Sequence, residues 1–286
     1  MIQVLRPIEP IDYLVLGHIT QDKTANGYTP GGTACYAALT ARAFGLKVGI
    51  LTAYADDAIL PELDGIQVIR QQSESSTVFE NIYHKTYRQQ IIHSHAEILH
   101  PRQLPESWLS APFVHFGPIA HEIDSDFFKI FPDSFIGVTP QGWYRDWDNE
   151  GNVLFRDWME SSLYLGKANA VVLSIEDVKG NEDIIASLAY TVRVLVVTDG
   201  YSGARVYWNG DVRNFRPPIV EEIEPTGAGD IFATTFFIRL KQTQNPWEAA
   251  RFATIIAARS VTRTGLDSVP TETEILNDLS DIIYNK

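Results

Sequence analysis

Positive charge is scarce in this chain. Across 286 residues, 23 Lys and Arg stand against 36 Asp and Glu, a formal net charge of −13. A broad electrostatic hold on nucleic acid is therefore excluded, because that hold rests on neutralising many phosphates at once. An anionic ligand must instead be held locally, by helix N-termini or a metal. Cysteine is nearly absent: Cys35 stands alone, which rules out an internal disulfide and a Cys-rich zinc site. No apolar run approaches membrane-spanning length, and residues 1–10 (MIQVLRPIEP) lack a cationic-then-apolar leader. The expectation is a soluble, cytoplasmic protein without nucleic-acid or membrane partners. Internal repeats and low-complexity tracts are missing too. What remains, 45% hydrophobic and 21% charged, has ample apolar material for one large α/β domain or two small ones, and a single domain over residues 1–286 is the expectation taken forward.

Short apolar runs bounded by turn residues recur at Asp12–Gly17, Lys47–Thr52, Phe113–Gly117, Phe135–Thr139, Ala170–Ser174 and Val192–Thr198. Such runs fit strands covered on both faces, as in a parallel sheet. Between the first two, Ala34, Ala37, Ala38 and Ala41 fall at helical spacing, and Gly45 supplies a stop. Ala204–Trp208 and Val212–Phe215 flank Asn209-Gly210, the signal of a tight hairpin. Helix starts are written in Asn245-Pro246-Trp247-Glu248 and in Thr271 with Glu274. Residues 76–94 are rich in β-formers and, with residues 18–30, suit a small sheet projecting over an active site as a lid. The alternative is an edge extension of the main sheet.

The chemistry concentrates at Glu224-Pro225-Thr226-Gly227-Ala228-Gly229-Asp230, ahead of a helical stretch. Gly227, Ala228 and Gly229 let the backbone turn its amides toward one point, and the following helix adds its positive end. That is a cradle for a phosphoryl group. Asp230 would repel a phosphate that was merely stored there. Its presence makes sense if it takes the proton from a hydroxyl attacking the phosphoryl group. An ordinary capping aspartate is the plainer alternative, since short glycine motifs recur by accident.

The surrounding sequence resembles the ribokinase-like (PfkB) carbohydrate kinase family. Besides the GAGD segment, residues 31–57 resemble that family's N-terminal signature, and Gly17 with Asp22 its early glycine-to-aspartate step. Thr198–Ala204 is similar to its nucleotide loop, and Thr264-Gly265 through Pro270 to its closing segment. The resemblance implies an α/β three-layer sandwich with a mostly parallel central sheet and a small β lid. It implies ATP with Mg²⁺ as cofactors and a small-molecule alcohol as acceptor: a sugar, a nucleoside or a polyol. It makes Asp230 the catalytic base, with the Gly227, Ala228 and Gly229 amides on the transferring group. It assigns Asp22, Gly31 and Gly32 to the acceptor, and Ser174, Thr198, Gly200 and Gly203 to the nucleotide, which also reaches residues 251–258. A homodimer formed through the lid is a further implication.

Departures from the family pattern narrow this reading. Ser174-Ile175-Glu176-Asp177 replaces an Asn-x-x-Glu motif, which leaves Asp177 to serve magnesium, through water. Glu224 stands where an Asp helps build a monovalent-cation site, and argues against potassium activation. Tyr36 replaces an Asn that contacts ribose. Pro225 and the stretch Thr139–Arg145 resemble the myo-inositol kinase branch, which puts Gln141 and Arg145 on the acceptor and tilts the expectation toward an inositol-like polyol. For that stretch, an aromatic packing cluster is the alternative. For the whole chain, the alternative is a catalytically silent member that binds sugar or nucleotide and regulates a partner. Dinucleotide, Walker A and G-x-S-x-G motifs are absent. His93 and His95 lack a third metal ligand at useful spacing.

Overall fold

The computed structural model describes residues 8–83 and 88–284. A nine-stranded sheet forms its middle layer, from β1 (Tyr13–Leu16), β4 (Val48–Tyr54), β5 (Ile66–Gln72), β8 (Phe113–Phe116), β9 (Phe135–Val138), β12 (Ala170–Ser174), β13 (Val194–Thr198), β14 (Ala204–Trp208) and β15 (Asp211–Phe215). The spatial order is β15-β14-β13-β12-β9-β8-β1-β4-β5. All strands from β13 to β5 run parallel, and the β14–β15 hairpin closes one edge antiparallel. Each of the six apolar runs read from the sequence is a strand of this sheet. Asn209 (φ 52°) and Gly210 (φ 81°) both take the left-handed conformation that their hairpin turn requires.

Side chains on successive strand residues point to opposite faces, and the core divides accordingly. Val171, Leu173, Leu195 and Val197 meet Trp108, Phe127, Phe131, Ile185 and Leu188 on one side. Ala170, Val172, Val194 and Val196 meet Phe232, Phe236, Ala249 and Ala253 on the other. The first face is covered by α2 (Ser161–Leu165), α3 (Glu182–Thr191) and short 3₁₀ turns. The second is covered by α1 (Thr33–Ala43), α4 (Ala228–Thr243) and α5 (Pro246–Ser260), with α6 (Glu272–Tyr284) against α5. This is the expected three-layer sandwich. Each fully buried Val or Leu contributes roughly 1.5–3 kcal/mol to it.

The alanine stripe of α1 is fully buried, and so are Cys35 and Tyr36 on its other side, because α4 covers the face that the sheet does not. Asn245 caps α5 as read, its side chain accepting from the amides of Trp247 and Glu248. Glu248 does not close the expected box. Arg239, one turn back on α4, takes its carboxylate instead. Thr271 and Glu274 do form the reciprocal pair: Thr271 N–H donates to Glu274 Oε2 at 2.8 Å, and Glu274 N–H to Thr271 Oγ1 at 3.2 Å.

A second, four-stranded sheet has the order β3-β2-β6-β7, from β2 (Thr20–Thr24), β3 (Gly27–Gly31), β6 (Thr77–Tyr83) and β7 (Arg88–Ser94). It is separate from the main sheet, as the projecting reading requires; residues 84–87 of the expected segment lie outside the described residues. Phe79 and Ile92 on its inner face pack on Ile119 and Ala120. A two-stranded ribbon, β10 (Arg145–Trp147) with β11 (Val153–Phe155), supports it, Ile92 N–H donating to Gly151 O at 2.8 Å. Among the described residues no helix is long and apolar enough to cross a membrane.

Candidate active site

α4 begins at Gly227, whose φ of 82° suits glycine alone. A methyl group there would run into the Tyr36 ring, so the helix N-terminus sits flush on α1. No side chain caps this end. The Ala228 amide is engaged, donating to Pro225 O at 3.2 Å, and Ile231 N–H donates to Gly227 O at 2.9 Å. That leaves the Gly229 and Asp230 amides without an acceptor among the described residues, and Gly229 faces open space. Of the three amides expected to face a phosphoryl group, that of Ala228 is engaged, while those of Gly227 and Gly229 have no backbone acceptor among the described residues.

Asp230 Oδ1 accepts a hydrogen bond from Thr33 Oγ1 at 2.7 Å. Burial pushes the Asp230 carboxyl up to about 6; the Thr33 bond and the positive charge of Arg145 pull the other way, while Asp177 and Asp22 add to the rise. Two residues before Thr33, Gly31 lies so close to Asp22 that a Cβ would overlap its carboxylate. Burial raises Asp22 to about 6 as well; Thr20 and Arg145 oppose the rise and Glu224 reinforces it. Gly32 is equally confined: at φ 85°, its Cβ would come within 2.8 Å of His18 O. Asp22, Gly31, Gly32 and Asp230 thus share one site, joined through the first turn of α1.

The remaining candidates lie at the carboxyl edge of the parallel sheet, where ligands of open α/β sheets bind. Gln141 Nε2 donates to Asp177 Oδ1 at 3.1 Å. Arg145, 9% exposed, donates through Nη1 to Ile119 O at 3.2 Å and stacks over the Phe79 ring of the second sheet at 5.1 Å. Its neighbours Trp143 and Tyr144 turn the other way and pack with Trp158. The 139–145 stretch thus contains the aromatic packing cluster of the alternative reading, with Gln141 turned to Asp177 and Arg145 to Phe79. Behind it, a hollow of ≈ 360 Å³ walled by Trp143, Trp158, Tyr164 and His121 contains none of the candidate residues.

Ser174 and Thr198 are register partners at the ends of β12 and β13. Asp177 caps the turn after Ser174, its Oδ2 accepting from Ser174 N–H at 2.8 Å while Ser174 Oγ accepts from Glu176 N–H at 3.2 Å. Both side chains are thus committed locally, and burial raises the Asp177 carboxyl. Gly200 (φ 45°) faces open space. Gly203 (φ 96°) is required for a different reason, since a Cβ there would collide with Phe215 O of the hairpin. Glu224 Oε2 accepts from Gly265 N–H at 3.0 Å, tying the loop before α4 to the segment after α5. His93 and His95 diverge: His93 Nε2 meets Glu80 at 2.8 Å and His95 packs on Trp147. Among the described residues no three His, Cys, Asp or Glu side chains gather as a metal cage. Thr33 had no sequence signal as a partner of Asp230. Tyr36, read only as a departure, lies under Gly227 with its hydroxyl in the field of Asp22, Asp230 and Glu224, and burial raises its pKa.

This arrangement, a mostly parallel nine-stranded sheet between helices with a separate four-stranded sheet, is the ribokinase-like α/β fold. It superposes on the pyrophosphate-dependent kinase in the ribokinase family complexed with a pyrophosphate analog and myo-inositol at a TM-score of 0.77, with 20% identity over 93% of this chain and 99% of that one. It superposes on ribokinase from Giardia lamblia at 0.73, with 19% identity over 96% and 100%. The family that the chain resembles is that of the pfkB carbohydrate kinases, whose match spans residues 165–274. Inositol 3-kinase of Zea mays is 31% identical over 93 residues, 32% of this chain and 24% of that protein. Fructokinase-1 of Oryza sativa subsp. japonica is 32% identical over 116 residues, 36% of this chain and 33% of that protein. The matched stretches thus span a third or less of these two relatives.

Proposed function

We propose that the protein is a small-molecule kinase that transfers a phosphoryl group to one hydroxyl of an inositol-like polyol. The observation that carries this reading is Asp230, a half-buried carboxylate at the N-terminus of α4 that accepts from Thr33 Oγ1 and whose pKa is raised to about 6 in the company of Asp22. Asp22 accepts hydrogen bonds from two acceptor hydroxyls, which a carboxylate does with charge-assisted strength. Asp230 takes the proton of the attacking hydroxyl, and the Gly229 and Asp230 amides stabilise the charge on the group in flight. Gln141 and Arg145 border the acceptor.

The donor occupies the edge formed by Ser174, Thr198 and the glycines at 200 and 203. ATP is the first expectation, with magnesium. A donor-borne Mg²⁺ keeps most of its waters and needs only one or two carboxylates. Asp177, already holding two hydrogen bonds, fits that role through water and does not fit a direct cage. When bound, the ion neutralises donor phosphate charge. Pyrophosphate is a second donor reading, favoured by the myo-inositol-complexed structural relative, which is pyrophosphate-dependent. With Glu224 bound to Gly265, a monovalent cation has little call on its carboxylate. A cytoplasmic location and a dimer formed through the lid complete the proposal.

Purified protein offered myo-inositol, ribose, fructose, adenosine or inosine, each with MgATP or pyrophosphate, tests it, with product read by ³¹P NMR. Saturable phosphorylation of myo-inositol is expected. Faster turnover of adenosine or inosine overturns the polyol acceptor. Donor binding without transfer to any acceptor favours the silent, regulatory reading.

A further inference from the structure

Glu122 is 1% exposed, yet it belongs neither to the acceptor nor to the donor edge. Its carboxylate is held by main-chain donors. His18 N–H gives to Oε1 at 3.0 Å, Ile119 N–H to Oε1 and Oε2 at 3.0 and 2.9 Å, and Ala120 N–H to Oε2 at 2.7 Å. A buried carboxylate is tolerated only when hydrogen-bonded in this way. The consequence is that the loop after β8 is tied to the chain leaving β1. Glu122 O also accepts from Leu99 N–H at 2.8 Å, fixing a third segment.

The loop held by Glu122 grips the site segment 141–145 at three points. Pro118 O accepts from Gly142 N–H at 2.9 Å, Ile119 O accepts from Arg145 Nη1 at 3.2 Å, and His121 Nε2 meets Arg145 O at 2.5 Å. Gly142 fits because a Cβ there would overlap the backbone of Pro118 and Ile119. Arg145 is the positive charge that favours the ionised forms of Asp22, Asp177 and Asp230.

We propose that Glu122 is a positioning residue for phosphoryl transfer, holding Arg145 in place through the loop 118–121 so that its positive charge acts on Asp22 and Asp230. This inference rests on the kinase reading for its purpose but not for its test. Glu122→Gln puts an amide donor against backbone donors, so the loop lets go and Arg145 withdraws. The groups facing the two carboxyls are Thr33, Arg145, Asp177 and Asp22 for Asp230, Thr20, Glu224 and Arg145 for Asp22, and Tyr36 and Cys35 for both.

The experiment is a ¹³C NMR titration of the Asp22 and Asp230 carboxyls in the full-length protein, which needs no activity. Losing a guanidinium neighbour raises both by roughly one pH unit. Losing the negative charge of Glu122 alone would lower them, so the sign separates positioning from simple electrostatics. Glu122→Asp keeps the charge on a shorter arm; it shifts both upward by less, and it carries the test if the glutamine variant does not fold. Arg145→Gln reproduces the shift, and adding Glu122→Gln to it changes nothing further. Unchanged or lowered values in a folded variant overturn the inference, as does an additive double variant. Should the wild type phosphorylate nothing, the kinase reading falls while the titration still decides the role of Glu122.

Discussion

Asp22 and Asp230 are both ionisable groups that the fold holds at a cost. With each raised to about 6 by burial, the folded state binds protons more tightly than the unfolded chain. Stability from these groups is then full below the ordinary carboxylate range and is lost as pH rises through about 6. Activity runs the other way, since the base must be ionised. Turnover is therefore expected to climb with pH through an acid limb near 6, while Asp230→Asn raises the melting temperature at pH 7.5 more than at pH 4.5. Calorimetry at both pH values checks this, and equal shifts would contradict it. Asp230 was legible in the sequence because it follows Gly227 and Gly229 at the start of a helix, whereas Asp22, with no glycine beside it, was legible only through the resemblance of the Gly17-to-Asp22 step. Thr33 was not: it meets Asp230 across 197 residues. Nor was Glu122, whose amide partner His18 is 104 residues away. Only folding brings such pairs together.

At the scale of single elements, α5 and α6 show how a similar start signal resolves differently. Thr271 and Glu274 satisfy each other's backbone, so Thr271→Ala is expected to cost about 1 kcal/mol in urea unfolding. Glu248 sits at the same position in α5 but serves Arg239, so Asn245→Ala and not Glu248→Gln should expose the cap there. A Thr271→Ala variant as stable as the wild type would refute the first expectation. The central strands were readable because runs buried on both faces carry unbroken apolar sequence. β5 and the β10–β11 ribbon were not. Residues 66–70 of β5 are half-buried, and Arg145–Trp147 and Val153–Phe155 are too short for a periodic signal.

Across the whole molecule, the second sheet and the proposed acceptor residues are one piece. β2 carries Asp22, and β3 ends at Gly31, immediately before α1. An acceptor held by Asp22, as proposed, would therefore also restrain the second sheet. Adding myo-inositol is expected to slow amide exchange in residues 20–24, 27–31 and 77–83, leaving β12 and β13 unchanged. Uniform exchange with and without the polyol would break the link between lid and acceptor. Residues 76–94 were visible in sequence as a β-rich stretch, and residues 18–30 were joined to it only as its partner in a small sheet. The parallel pairing of β2 with β6 was not visible, because no turn joins them and their contacts are set by the core beneath.

The central claim, that Asp230 deprotonates the attacking hydroxyl, is tested most directly by steady-state kinetics of Asp230→Asn with the preferred acceptor and donor. The account predicts kcat lower by roughly 10²–10⁴-fold with donor affinity unchanged, since the base acts only in the chemical step. A variant that keeps turnover close to that of the wild type would contradict it.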